Sequence, residues 1–188
     1  GVVLTDVDDT FGEKCIVQPG HCYQKVIGEI DRCRMAGHGY ILTAGMHLPH
    51  PTGLVWLRRD LRTYDNMALQ AALRECAQVH CVFVLDDTIL DALPRADRRV
   101  EFILASLVEL DQTLRELGQR EGCGFIVLRG RPQVLIPQLA QQLGVTGVYA
   151  ARDYEPYALE RDAAVSQSLQ ALRKSLTLVK DHVILEQR

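Results

Sequence analysis

The 188-residue sequence is short of lysine, of aromatic residues and of long apolar runs. Aromatic side chains make up 6% of it, and it holds a single tryptophan. No apolar run approaches the roughly 18 residues that a membrane-spanning helix needs, so we predict no such helix. No basic segment followed by an apolar core opens the chain, so we also predict no secretory signal.

Several common site motifs are missing as well. The six cysteines contain no CxxC pair and no even spacing, which favours reduced thiols and a cytoplasmic location. Neither GxGxxG nor GxxxxGK[ST] follows a predicted strand, which argues against the usual dinucleotide sites and P-loops. The net charge of −3 gives no global basic field that would attract nucleic acid or anionic lipid.

The overall composition is that of an ordinary globular protein, with 47% hydrophobic and 24% charged residues. Two prolines and a glycine break the pattern near 47–53, and strands then alternate with amphipathic helices. The predicted strands are 54–57, 79–85, 125–128, 148–150 and 176–179. Asp65 is the predicted cap of the first helix, and Gly144 the predicted stop of the third. We therefore predict an α/β fold: a doubly wound, Rossmann-like sheet of five parallel strands, preceded by a short βαβ-like leader.

Charged residues follow three of these strands. Arg59, Asp86, Asp153 and Glu155 come just after strands one, two and four, so a parallel sheet brings them to one rim. A planar polar ligand would fit there, and Phe83 offers an aromatic wall.

The same segment carries a family resemblance. Leu54-Val-Trp-Leu-Arg-Arg-Asp-Leu-Arg62, with Tyr64-Asp65-Asn66 after it, resembles the opening strand and turn of the DNA photolyase/cryptochrome family. Further segments match that family in order. They are Val82-Phe-Val-Leu-Asp86, Leu128-Arg-Gly130, Asp153-Tyr-Glu-Pro-Tyr157 with Arg161-Asp162, and 181–186. Residues 53–188 thus resemble the N-terminal α/β domain of that family.

This resemblance implies a function for the full-length protein. A larger helical domain, expected outside these 188 residues, would bind FAD and the damaged DNA, with no membrane partner. The protein would be a deoxyribodipyrimidine photolyase, which uses light to repair pyrimidine dimers flipped out of the duplex. The chain by itself is then not expected to repair DNA. A cryptochrome-type photoreceptor is the alternative, because both share the α/β domain.

In this family the α/β domain can hold an antenna chromophore. The resemblance places Arg59, Phe83, Asp86, Asp153 and Glu155 at or near a deazaflavin. FMN and folate are the other antennas considered. Folate is less favoured, because Tyr157 and Ala158 stand where its side-chain contacts, Asn and Glu, are expected.

Other readings of the strand ends stay open. Arg58, Arg59, Asp60 and Asp153 are also the residue types that form bidentate ion pairs with a purely structural role. A docking module that binds no chromophore is a further possibility for this chain.

The leader, residues 1–46, has a weaker resemblance to the opening of a haloacid-dehalogenase-type phosphatase. Asp6 and Asp8 match the DxDxT nucleophile and acid/base of that family, and Thr43 matches its phosphate-holding residue. Mg²⁺ would bridge carboxylate and phosphate there. The later metal ligands have no counterpart, so a phosphatase remnant is the alternative reading. Residues 47–52 are the predicted linker.

Overall fold

The computed structural model describes residues 2–4, 15–17, 50–94, 97–118 and 125–181. The strands are β1 (Val2–Leu4), β2 (Cys15–Val17), β3 (His50–Leu57), β4 (Cys76–Asp86), β5 (Ile126–Gly130), β6 (Gly147–Ala151) and β7 (Ser175–Val179). The helices are α1 (Met67–Glu75), α2 (Asp87–Leu90), α3 (Arg98–Gly118), α4 (Pro132–Gln142) and α5 (Pro156–Ala171). None of these described helices is both long and apolar enough to cross a membrane.

The five strands downstream of the leader form a parallel sheet in the order β5-β4-β3-β6-β7. The chain runs outward from β3 in one direction through β4 and β5, and in the other through β6 and β7. This reversal beside β3 is the doubly wound arrangement, so the predicted fold class is confirmed.

Two short strands from the leader extend this sheet. β1 pairs in parallel with β5, and β2 pairs antiparallel with β1. The first of them agrees with the opening strand of the predicted βαβ-like leader, whereas a strand at 15–17 was not predicted. The leader's predicted helix and second strand lie outside the described residues, as do the phosphatase-like Asp6, Asp8 and Thr43.

Alternate residues of β3 face opposite sides of the sheet, and each side is covered by helices. Val55 and Leu57 pack with α1 and α3 in one apolar cluster, whereas Leu54 and Trp56 pack with α4 and α5 in another. All four side chains are at most 1% exposed. A central strand that is buried on both faces reads as a continuous apolar run, which is why the sequence revealed it.

The predicted linker at 47–52 is wrong in its second half. His50, Pro51 and Thr52 already belong to β3, where His50 and Thr52 pair with β4. β6 pairs with β3 only from Gly53 onward, so one edge of the strand is still open at Pro51. Proline lacks a backbone N–H and is tolerated at such an edge.

The predicted cap at Asp65 is also wrong, by one residue. Helix α1 begins at Met67, and the side chain of Asn66 accepts the Leu69 backbone N–H at 2.9 Å. Asp65 instead takes a left-handed conformation, with φ of 47°, in the turn before the cap. The amide of the buried Asn66 also donates to the backbone oxygens of Asp60 and Arg62, so this residue holds the loop after β3 to the start of α1.

We expect Asn66→Ala to lower the free energy of unfolding by about 2 kcal/mol, because it removes a helix cap and the hydrogen bonds that the buried amide donates to the loop after β3. Urea denaturation measures this change. Asp65→Asn is the matched control, since asparagine accepts a left-handed backbone, and it should change stability little. A larger loss for Asp65→Asn than for Asn66→Ala would contradict the assignment of the cap.

Candidate functional site

The sheet topology brings three strand ends together. Arg59 lies two residues beyond β3, Asp86 is the last residue of β4, and Asp153 lies two residues beyond β6. β3 lies between β4 and β6, and all three strands are parallel. Their carboxyl ends therefore meet at one edge, beside the point where the strand order reverses.

A cavity of about 380 Å³ opens at this edge. All five side chains predicted for the site line it: Arg59, Phe83, Asp86, Asp153 and Glu155. An apolar wall completes it, formed by residues of α2, of α3 and of the segment between them. That apolar wall consists of Ile89, Leu90, Leu93, Val100 and Ile103.

Three charged residues that line the cavity form what we call the acidic rim: Arg59, Asp153 and Glu155. Nη2 of Arg59 lies 2.6 Å from Oε1 of Glu155, and its Nε lies 3.7 Å from Oδ2 of Asp153. Glu155 is at the N-cap position of α5, but its side chain makes no capping hydrogen bond. The pKa of Arg59 is raised, chiefly by the hydrogen bond to Glu155. Two carboxylates thus face one guanidinium.

Unlike Arg59 and Glu155, the carboxyl group of Asp153 is largely buried. Burial raises its pKa, but the Tyr154 backbone N–H at 2.8 Å and the charges of Arg59 and Arg58 oppose burial and lower the pKa overall. A lowered pKa in the folded state means that the ionised carboxylate stabilises the fold at neutral pH. That contribution is lost as the pH falls through the folded-state pKa.

Asp86 contacts the protein through both of its carboxylate oxygens. Oδ1 accepts the Thr88 backbone N–H at 3.0 Å and caps α2, while Oδ2 accepts the Tyr157 hydroxyl at 2.6 Å. Burial and the hydrogen bond to Asp86 raise the pKa of Tyr157. Asp86 therefore joins the end of β4 to the first turn of α5 and fixes the start of the helix that carries Ile89.

A second charged cluster lies deeper, and we call it the cationic wall: Arg58, Asp162 and Arg161. Nη1 of Arg58 lies 2.7 Å from both carboxylate oxygens of Asp162. Nε and Nη2 of Arg161 lie 3.0 and 2.9 Å from Oδ1 of the same residue. Each of the three side chains is at most 9% exposed. Two buried cations share one carboxylate, so the cationic wall has a net charge of +1.

Trp56 lies beneath the cationic wall. Its ring centroid is 4.8 Å from Cζ of Arg58 and 4.9 Å from Cζ of Arg161. Trp56 is 1% exposed and belongs to an apolar core cluster, yet it also lines the cavity. Guanidinium groups packed against an indole are held by cation–π attraction, which is strongest where water is excluded.

A purely structural role fits some of the charged residues that follow the strands, namely Arg58 and Asp60. Arg58 is held by Asp162 and also donates to the Ala151 carbonyl oxygen. Asp60, 1% exposed, accepts the Arg58 backbone N–H at 2.8 Å and does not line the cavity. Ala158 lies inside α5, where alanine is favourable.

Sequence reasoning missed part of the cavity. It did not predict Arg161 or the apolar wall as parts of a site. Ile103 lies in the long helix α3, and an apolar residue that lines a cavity has the same periodicity as one in the core. The Arg161-Asp162 pair was visible only as part of a family motif.

Comparison with known proteins now adds to this geometry. The sequence model of the DNA photolyase family matches residues 53–188. The chain is 44% identical over 116 residues to a deoxyribodipyrimidine photo-lyase of a Synechococcus species, which covers 62% of this chain and 23% of that protein. It is 36% identical over 129 residues to cryptochrome-2 of Gallus gallus, which covers 69% of this chain and 22% of that protein.

Solved structures agree. An archaeal photolyase from Sulfolobus tokodaii, described as holding two FAD molecules with the implication of a novel light-harvesting cofactor, superposes with a TM-score of 0.64 at 28% identity. That match covers 72% of this chain and 30% of the archaeal one. A cryptochrome from a Synechocystis species gives a TM-score of 0.60 at 26% identity, over 72% of this chain and 28% of its own. The chain spans less than a third of the length of each of these four relatives.

We expect Asp162→Asn to destabilise the fold by about 3–5 kcal/mol, because it removes the carboxylate that the two buried guanidinium groups share. Chemical denaturation measures this loss. Glu155→Gln breaks the exposed ion pair with Arg59 and should cost less than about 1 kcal/mol. Equal effects of the two substitutions would contradict the burial assigned to the cationic wall.

We expect Arg59→Met to raise the pKa of Asp153, because it removes one of the positive charges that lower it. A carboxyl ¹³C titration followed by NMR measures the change. Arg152→Met is the control: it removes an exposed arginine one residue away that has no part in these causes, and it should leave the titration unchanged. No difference between the two variants would show that the Arg59 charge does not act on this carboxylate.

Proposed function

The chain belongs to the DNA photolyase family, and on that premise we propose that residues 53–188 are the antenna-chromophore-binding α/β domain of a deoxyribodipyrimidine photolyase. In the full-length protein, FAD bound in a helical domain would drive the repair of pyrimidine dimers with light. Damaged DNA would bind through that helical domain, which takes up the dimer flipped out of the duplex. The role of the present chain would be to hold a second, light-absorbing group.

One observation carries the proposal: the five residues that the family resemblance assigns to an antenna site line a single cavity. Its volume of about 380 Å³ falls within the range of small-molecule sites. The ring of Phe83 and the apolar wall offer nonpolar surface to a planar ring system. The acidic rim supplies the few polar groups that orient a ligand.

These features favour a tricyclic chromophore, either a deazaflavin or FMN, over folate. The second FAD of the Sulfolobus photolyase supports a flavin-type antenna in this family. The chromophore would supply light absorption. The residues of this chain make and break no bond: they exclude water from the ring system and fix its orientation.

A cryptochrome-type photoreceptor is the second candidate, supported by the 36% identity to the avian cryptochrome. The α/β domain does not separate the two activities. Illumination of the protein that carries this domain together with its FAD domain, mixed with dimer-containing DNA, would: loss of dimers identifies a photolyase, and intact dimers identify a cryptochrome.

The proposal includes a cytoplasmic location. Cys76 and Cys81 are free and buried, and burial raises the pKa of the Cys81 thiol to about 12. Unpaired thiols of this kind suit a reducing compartment.

Ligand binding tests the proposal directly. Titration of the chain into FMN, a deazaflavin and folate, followed by fluorescence anisotropy, should show binding of the two tricyclic compounds. Ile89→Trp places a large ring in the cavity at a half-exposed position and should weaken binding at least about tenfold.

Val134→Trp is the matched control, because Val134 is 50% exposed, against 46% for Ile89, and does not line the cavity. It should leave the affinity unchanged, as equilibrium dialysis can verify without relying on fluorescence. If all three ligands kept their free anisotropy, the antenna proposal would fail. Equal loss in both variants would place the ligand somewhere other than this cavity.

A further inference from the structure

We propose that the outer edge of β5 is a strand-binding site, and that the leader occupies it with β1 as a built-in edge strand. In this role β1 keeps the α/β domain from pairing edge to edge with a second copy of the chain. The inference does not depend on the proposed function, because it concerns an edge of the sheet and not the cavity.

β5 is the strand at one end of the five-stranded parallel sheet. One of its edges pairs with β4 from Ile126 to Gly130. Ile126, Val127 and Leu128 are apolar and at most 7% exposed. None of these three is a charged residue or a proline, the residue types by which natural sheets block unwanted pairing at an edge. The sequence of β5 is thus typical of a strand that has a neighbour on each side.

The strand at the other end of this sheet, β7, is different. Lys174 and Lys180 lie directly before and after it, and its Ser175 and Thr177 are polar. All five of its residues are at least partly exposed. Lysines and polar side chains discourage pairing with another chain at an edge. The two ends of the sheet therefore differ: β7 carries its own protection, whereas β5 needs a covering strand.

β1 meets this need. Val3 and Leu4 pair in parallel with Ile126 and Val127. On its other side, β1 pairs antiparallel with β2 along all three of its residues, starting at Val2. β1 also lies close to α3, the helix that shares an apolar cluster with Val127. Because β1 is paired on both edges, its backbone N–H and C=O groups have partners, as a strand inside a sheet requires.

The extent of the family match supports a separate role for the leader. The match begins at residue 53, beyond the end of the leader at residue 46. The leader therefore adds no strand to the matched segment itself, and its described contribution is the cover on the β5 edge. Because β1 belongs to the same chain, its effective concentration at this edge is high, which favours it over the edge of a second copy.

Proline substitutions in the full chain test the inference. Val3→Pro/Leu4→Pro removes the backbone N–H groups of the two residues that pair with β5 and should detach β1. Val2→Pro is the matched control, because Val2 pairs with β2 and with no residue of β5. Proline is also tolerated at the first residue of a strand. Circular dichroism checks that each variant is folded.

Amide hydrogen exchange, followed residue by residue by NMR, gives the first readout. Successive N–H groups of a strand point to opposite edges, so of the amides of Ile126 and Val127 one faces β1 and the other faces β4. Both should be protected in the wild-type chain. In the double variant the amide that faces β1 should exchange at least about tenfold faster, while the other keeps its rate. Val2→Pro should leave both rates unchanged. An unprotected outer amide in the wild-type chain would overturn the inference without any variant.

Self-association gives the second readout. Sedimentation velocity should show the double variant associating at concentrations at least about tenfold lower than the wild-type chain or Val2→Pro, because its free β5 edges can pair. A double variant that associates no more readily than the wild type would refute the role of β1 as a cover. Equal effects of the double variant and the control would also count against it, because the cause would then be any proline in β1.

The wild-type chain also tests which copy supplies the strand. The outer amide of β5 should be equally protected at all protein concentrations, because β1 comes from the same chain. Protection that appears only where the wild-type chain dimerises would mean that a second copy supplies the strand, and the inference would fail. None of these outcomes bears on the antenna proposal.

Discussion

The buried carboxylate of Asp162 is the constraint on which the rest of this edge of the molecule depends. It accepts hydrogen bonds from Arg58, just after β3, and from Arg161, one residue before it in α5. Arg58 in turn donates to the carbonyl oxygen of Ala151, the last residue of β6. One network thus ties two adjacent strand ends to the helix that follows them, at the place where the strand order reverses. A buried ion pair of this kind adds little net stability over an apolar substitute, but its geometry allows few alternatives.

The positions of the rim residues follow from this arrangement. Arg59 is the next residue after Arg58, and Asp153 lies two residues beyond Ala151. The neighbouring network fixes the strand ends, so the exposed ion pair of Arg59 with Glu155 does not have to supply rigidity. Exposed pairs contribute little to stability. The charges of Arg59 and Glu155 can therefore act on a ligand, whereas the carboxylate of Asp162 is paired with Arg58 and Arg161.

Some parts of the fold and of the candidate site have a distinctive sequence pattern and could be predicted, whereas other parts do not. A strand buried on both faces, such as β3, is visible as an apolar run, and the alternation of strands with helices predicts which strand ends meet. The helix cap was missed because Asp65 and Asn66 are both good capping residues, and only the backbone conformation separates them. The early start of β3 was missed because Pro51 suggests a break, while the pairing of its neighbours depends on a strand some 25 residues away. Ile103 looked like core because lining a cavity and lining a core need the same side chain.

Asp86 shows why a residue assigned to a site by resemblance can serve that site indirectly. Both of its carboxylate oxygens already accept hydrogen bonds, one from the start of α2 and one from the Tyr157 hydroxyl. The ion pair between Arg129 and Asp87, 2.9 Å long, holds the first residue of α2 from the neighbouring strand end. The helix fixed in this way carries Ile89 and Leu90 to the cavity. Asp86 therefore helps to position two elements that line the cavity, α2 and the start of α5. The contacts that hold the strand ends together also shape the cavity, so a structural role of these residues is compatible with the proposed site.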